Sequence, residues 1–134
     1  MNETELTETL DTRDLLEAAR DPGVYAIEVA VPDRLDGVRE AWDNQHDSRP
    51  DDDGLQRLAD AEKVAYVGAS KNVYTRLCEH VNQRKRRASF LETFPVRDVV
   101  EIWPHLDPFT AEHNRALRLS RDDWKVWKDG ELYG

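Results

Sequence analysis

Glu112 is the residue whose surroundings point most directly to chemistry. Phe109, Ala116 and Leu119 stand at i−3, i+4 and i+7 from it, so at helical spacing the glutamate falls within an apolar stripe. An inward carboxylate is costly unless it is paired or bound to a metal ion. A salt bridge to Arg76 would satisfy it as well as a cation would. Arg76 itself offers a fork of donors that stays charged, which suits a phosphate. His80, one helical turn on, can contact phosphate or move a proton. The competing reading for both is a solvated helix face, and it competes more strongly for His80 than for Arg76. Beyond them Arg84-Lys85-Arg86-Arg87 is the densest basic run in the chain, suited to holding backbone phosphates. Lys71 and Asn72, in the turn before the same helix, are further candidates for that contact.

The charge balance of the whole chain opposes a polyanionic partner, and its distribution does not. With 28 Asp and Glu against 19 Lys and Arg, the net charge is -9. Residues 69–97, however, carry seven basic side chains against Glu79 and Glu92 alone. Screening confines the repulsion of distant charges to about a Debye length, so a local patch can hold phosphate on an acidic protein. A surface dense in carboxylates and poor in lysine is what a halophilic protein working in very high salt would carry, and an acidic protein from a GC-rich genome is the competing reading. A chain of 134 residues fits one domain with a real core. No apolar run is long enough to span a bilayer, Met1 to Leu10 lacks the apolar stretch of a secretory signal, and Cys78 has no cysteine partner. The expectation is a soluble, cytoplasmic protein.

The elements that must position these residues follow from periodicity. Residues 11–20 read as a short helix stopped by Asp21-Pro22-Gly23. Gly23 to Val31 reads as a strand, with Tyr25, Ile27, Val29 and Val31 on one face. Residues 32–62 look least ordered, with short helical candidates at Leu35 to Trp42 and Leu55 to Ala61. Asp51, Asp52 and Asp53 lack the alternating ligand spacing of a calcium loop and read as a solvated acidic loop. Lys63 to Gly68 reads as a second strand. Asn72 to about Arg84 reads as a helix with Val73, Leu77 and Val81 as its apolar stripe. Arg97 to Trp103 reads as a third strand. Asp107-Pro108 has the form of a helix N-cap followed by proline, opening a helix from Phe109 to about Leu119. The tail WKVWKDGELYG fits either a strand or a docking segment.

Gly23-Val24-Tyr25, then Tyr66-Val67-Gly68, Ala69-Ser70-Lys71-Asn72 and a helix bearing Arg76 and His80 resemble the signature of the GIY-YIG nucleases. The match is best over Tyr66 to His80 and spans residues 23–31 and 63–119. The resemblance implies an α/β (α+β) domain with a small three-stranded antiparallel sheet flanked by helices. It implies a DNA endonuclease in which Tyr66 or Tyr25 orients or deprotonates the attacking water and Arg76 grips the scissile phosphate. Glu112 would hold one Mg2+ (or Mn2+) ion that neutralises the leaving 3′ oxygen. Without the signature, each tyrosine would read as strand core.

Two departures from the family pattern stand out. Tyr25 and Tyr66 are separated by an insertion at about 32–62, where the family has a short connection. The asparagine that the family often places after its glutamate helix is absent, since Asn114 lies only two residues past Glu112. A catalytically weak or inactive module that binds nucleic acid or a protein is therefore the alternative. No separate DNA-reading module is recognisable, so target choice would be loose, directed by DNA structure, or delegated to a protein partner.

Overall fold

The computed structural model describes residues 1–47, 50–82 and 88–134. The first strand expected from the sequence is β1 (Gly23–Val29) and the second is β2 (Val64–Ser70). They pair antiparallel, with Tyr25 opposite Gly68 and Ile27 opposite Tyr66. The third, β3 (Val96–Pro104), pairs antiparallel with the other side of β1.

The sheet does not end at three antiparallel strands. The tail forms β4 (Lys125–Lys128) and β5 (Glu131–Tyr133), and the sheet runs β3-β1-β2-β4-β5. β4 lies parallel to β2, so the five-stranded sheet is mixed. An uncovered β2 edge would present unpaired backbone groups, and β4 satisfies them. The β4–β5 turn is Asp129-Gly130, with φ of 51° and 78°. Positive φ at both central residues is the type I′ turn that suits the twist of a hairpin, and Asp-Gly favours it.

Side-chain alternation sends Tyr25, Ile27, Val29 and Val64 to one face of the sheet and Val24, Ala26, Ala65 and Val67 to the other. The first face carries the larger core. It is covered by α1 (Glu3–Thr12), α2 (Leu16–Ala19), α3 (Leu35–Asp43), α4 (Asp52–Asp60), α5 (Val73–Val81) and α6 (Ser89–Thr93). The second face is covered by α7 (Pro108–Ser120) through Ala116 and Leu119. Among the described residues no helix is long and apolar enough to cross a membrane.

Several local expectations are corrected. Residues 11–20 are not one helix: α1 begins at Glu3, and Asp14 breaks the chain with a φ of 58° before α2. The start is set by a capping box in which Glu5 N–H donates to Asn2 Oδ1 (2.8 Å) and Asn2 N–H donates to Glu5 Oε1 (3.2 Å). Both helical candidates within residues 32–62 are present as α3 and α4, α4 starting earlier at Asp52, and they bury Val38, Trp42, Leu55 and Leu58 in the main core, so this segment is more ordered than its sequence suggests. The three aspartates are not a loop either. Asp51 caps α4 by accepting from Gly54 N–H (2.9 Å), and Asp52 pairs with Arg39 (2.8 Å). Asp107 occupies the N-cap position of α7 without a side-chain cap bond. Phe109 is 58% exposed and leaves the apolar stripe that Ala116 and Leu119 form.

Leu10 on α1 is fully buried against this core. Leu10→Ala is expected to lower the unfolding free energy by about 2–5 kcal/mol, read from urea denaturation. A change too small to measure would mean that α1 is not part of the cooperative unit.

Candidate active site

Tyr25 and Tyr66 project from neighbouring strands onto the same face, and α5 brings His80 against both. The three rings form a triangle, with centroids 6.4 Å apart for the two tyrosines and 5.6 and 5.5 Å from each to His80. The Tyr25 hydroxyl and His80 Nε2 share a hydrogen bond of 2.7 Å. Both residues are essentially inaccessible, at 1% exposure each. His80 is therefore not on a solvated helix face and does not reach a phosphate directly. It holds the Tyr25 hydroxyl. Gly68 makes room for that hydroxyl, because a Cβ there would stand 2.5 Å from Tyr25 Cζ and closer still to the oxygen.

Tyr66 is only partly buried and has one side open. Burial pushes its hydroxyl above the usual tyrosine range; Arg76 pulls it down, and Glu112 and Asp129 push it up again. Tyr25 is driven further up, first by burial and then by Tyr66, against the charge and hydrogen bond of Arg76, with Glu112 adding to the rise. Both hydroxyls thus keep their protons at neutral pH. Arg76 lies within electrostatic reach of both, and its Nη1 is 3.3 Å from Glu79 Oε2 in an i,i+3 pair.

Glu112, on the first turns of α7, is half-buried. The competing salt bridge to Arg76 does not form, and among the described residues no hydrogen bond or ion pair engages the Glu112 carboxylate. Its pKa is raised by burial and by Asp129, with Lys128 acting in the opposite sense. Lys128 is 7% exposed and its Nζ lies 2.7 Å from Asp129 Oδ2. The electrostatic neighbours of Glu112 are thus Lys128 and Asp129, at the β4–β5 hairpin, which the residue pattern did not single out. The Asp-Gly turn dipeptide between alternating apolar residues was the available signal.

The remaining candidates separate. Lys71 is exposed. The Asn72 side chain is occupied in capping α5, accepting from Thr75 N–H at 3.1 Å. Arg84, Lys85, Arg86 and Arg87 lie outside the described residues. Among the described residues no three His, Cys, Asp or Glu side chains gather around a point where they could share one ion. Comparison of the chain with known protein families, with curated proteins and with solved structures finds no match. Its function must be read from this geometry.

Two outcomes are expected. Gly68→Ala pushes a methyl group into the Tyr25 ring and should cost about 1–3 kcal/mol of stability, seen as an earlier urea midpoint; an unchanged midpoint would contradict the packing described. The second concerns pH. A carboxyl whose folded-state pKa lies above its ordinary value of 4.5 binds more protons folded than unfolded, so it penalises the fold increasingly as pH rises through that shifted value. Glu112→Gln removes the penalty. The variant should therefore melt above wild type at pH 7, with the gap closing towards pH 4; equal melting at both pH values would show that Glu112 carries no such strain.

Proposed function

We propose that the chain is a metal-dependent endonuclease of the GIY-YIG type that hydrolyses DNA phosphodiester bonds. The observation that carries this reading is the convergence of Tyr25, Tyr66, Arg76 and His80 on one face of the β1–β2 pair, with Glu112 close enough to perturb both tyrosines. Phosphodiester hydrolysis needs a placed water, a cation for the phosphate and help for the leaving oxygen. The partly open Tyr66 hydroxyl is the one that can orient the water. Because it keeps its proton, its part is positioning rather than proton abstraction. Tyr25 and His80 form the buried brace behind it. Arg76 is the phosphate ligand, its guanidinium exchanging the longer contact to Glu79 for a charge-assisted pair with phosphate oxygens.

Glu112 fits one divalent cation. It is a half-buried carboxylate with no hydrogen bond or ion pair among the described residues, and burial, then Asp129, raise its pKa against the opposing pull of Lys128. Magnesium or manganese takes few protein ligands and keeps water for the rest, so Glu112 would hold the ion with water completing its shell. Such an ion supplies charge to the leaving 3′ oxygen. The exposed Lys71 and the run Arg84 to Arg87 are candidates for phosphate contacts away from the cut. A targeting protein partner would supply any sequence preference.

Supercoiled plasmid and a branched junction, incubated with magnesium or manganese at low and molar potassium chloride, test the reading. Wild type should nick only with metal, and Glu112→Ala and Arg76→Ala should each lose about 100-fold or more in rate. A folded wild type that cuts neither substrate would sink the proposal and favour a module of the same fold that binds nucleic acid or protein without cutting.

A further inference from the structure

Tyr66 has a second neighbourhood. On its open side lies a cleft of about 490 Å³ whose far wall comes from residues 32–62. A continuous run of rings lines it. Tyr66 stacks towards Phe90 (6.4 Å, 21°), Phe90 stacks on Trp127 (4.6 Å, 10°), and Trp42 meets Trp127 edge-on at 5.6 Å. His46 stacks on Trp42 at 4.4 Å and is held by Thr93 through a 2.7 Å hydrogen bond. Ser89 and Asp129 supply polar groups on the lining. The volume is that of a small-ligand pocket.

We propose that this cleft receives an unstacked base of the DNA strand being cut, which makes the preferred substrate DNA with an unpaired or mismatched nucleotide beside the scissile phosphate. The inference rests on the nuclease reading and extends it to a substrate class. Phe90 and Trp42 are buried, and the partly exposed rings of Tyr66, Trp127 and His46 packed on them, with hydrogen-bonding groups nearby, suit a heteroaromatic ring, because every base offers a π-face and a polar rim. Asp129, on the cleft lining, pairs with Lys128 through Oδ2 and has its other oxygen to accept from a base amino group. The shared Tyr66 wall places base and cut next to one another. Unstacking a base from a sound duplex costs a few kcal/mol and least where it is already unpaired, so the cleft selects for unpaired DNA.

The test is binding of a 2-aminopurine-containing single-stranded oligonucleotide, and of the same sequence fully paired, to Glu112→Gln protein in EDTA. Stacking on the cleft should quench the 2-aminopurine saturably. The single strand should bind about tenfold or more tighter than the duplex. Trp127→Leu should bring the ratio of the two dissociation constants close to one, and Trp127→Phe should largely preserve it. His46→Ala, at another partly buried ring of the lining, tests the same cleft should Trp127→Leu fail to fold. Absence of quenching, equal affinity for the two forms, or a ratio untouched in folded Trp127→Leu or His46→Ala overturns the cleft. Nicking by wild type is followed in parallel with magnesium. Equal cutting of paired and mismatched duplexes overturns the cleft and leaves the nuclease reading standing. Quenching without any cutting keeps the base site and sinks the nuclease reading.

Discussion

The Tyr25 hydroxyl, lodged over Gly68 and bonded to His80, is the contact on which the rest of the molecule depends. It joins β1, β2 and α5 at a point with no access to water. A buried hydroxyl that lost its partner would cost about 1–3 kcal/mol, and the space for it exists only where the opposing residue has no Cβ. Strand register is set accordingly. Moving β2 by one residue would confront the ring with a side chain and turn Tyr66 to the other face of the sheet. With the register held, Tyr66 is directed outward from the same face, and Arg76 on α5 is brought beside both rings. The interlock is part of the core and part of the candidate site at once.

Much of this was legible because the residues concerned act over short distances. Alternation located β1, β2 and β3 to within a few residues, and the fourfold spacing of Val73 and Leu77 located α5. The hidden parts depend on partners far away in the sequence. Nothing near KVWK shows that it adds to β2 rather than standing alone, and nothing near Glu112 shows that Lys128 and Asp129 are its electrostatic neighbours. His80 was misplaced for a related reason. Fourfold spacing put it with Arg76, but the stripe that α5 buries is wide enough to include it, since α1 and the sheet enclose the helix from two sides. Phe109 erred the other way: one turn into a helix, an apolar residue at the right spacing can still lie beyond the sheet it would cover.

The segment between Tyr25 and Tyr66 is more than a decoration of the fold. α3 and α4 carry enough apolar surface to join the main core, and the same segment presents Trp42 and His46 to the ring system that begins at Tyr66. One stretch of chain thus serves stability through its inward leucines and valine and shapes the surroundings of the open tyrosine. The two roles are linked, because the Trp42 ring is at once core and cleft wall.

The parallel pairing of Val64 with Lys125 has a consequence for the order in which the molecule can be built. Antiparallel β1, β2 and β3 can associate as the chain emerges, but the free edge of β2 has no partner until residues after α7 have been made. The β1–β3 pairing closes a longer stretch of chain than the β2–β4 pairing does, so it is the order of synthesis that leaves β4 for last. The surroundings of Glu112 are therefore completed last, after the tyrosines and His80 have already met. A nascent chain can hold its buried brace in place while still lacking the lysine and aspartate that neighbour Glu112, so the main core and the candidate site need not be completed together.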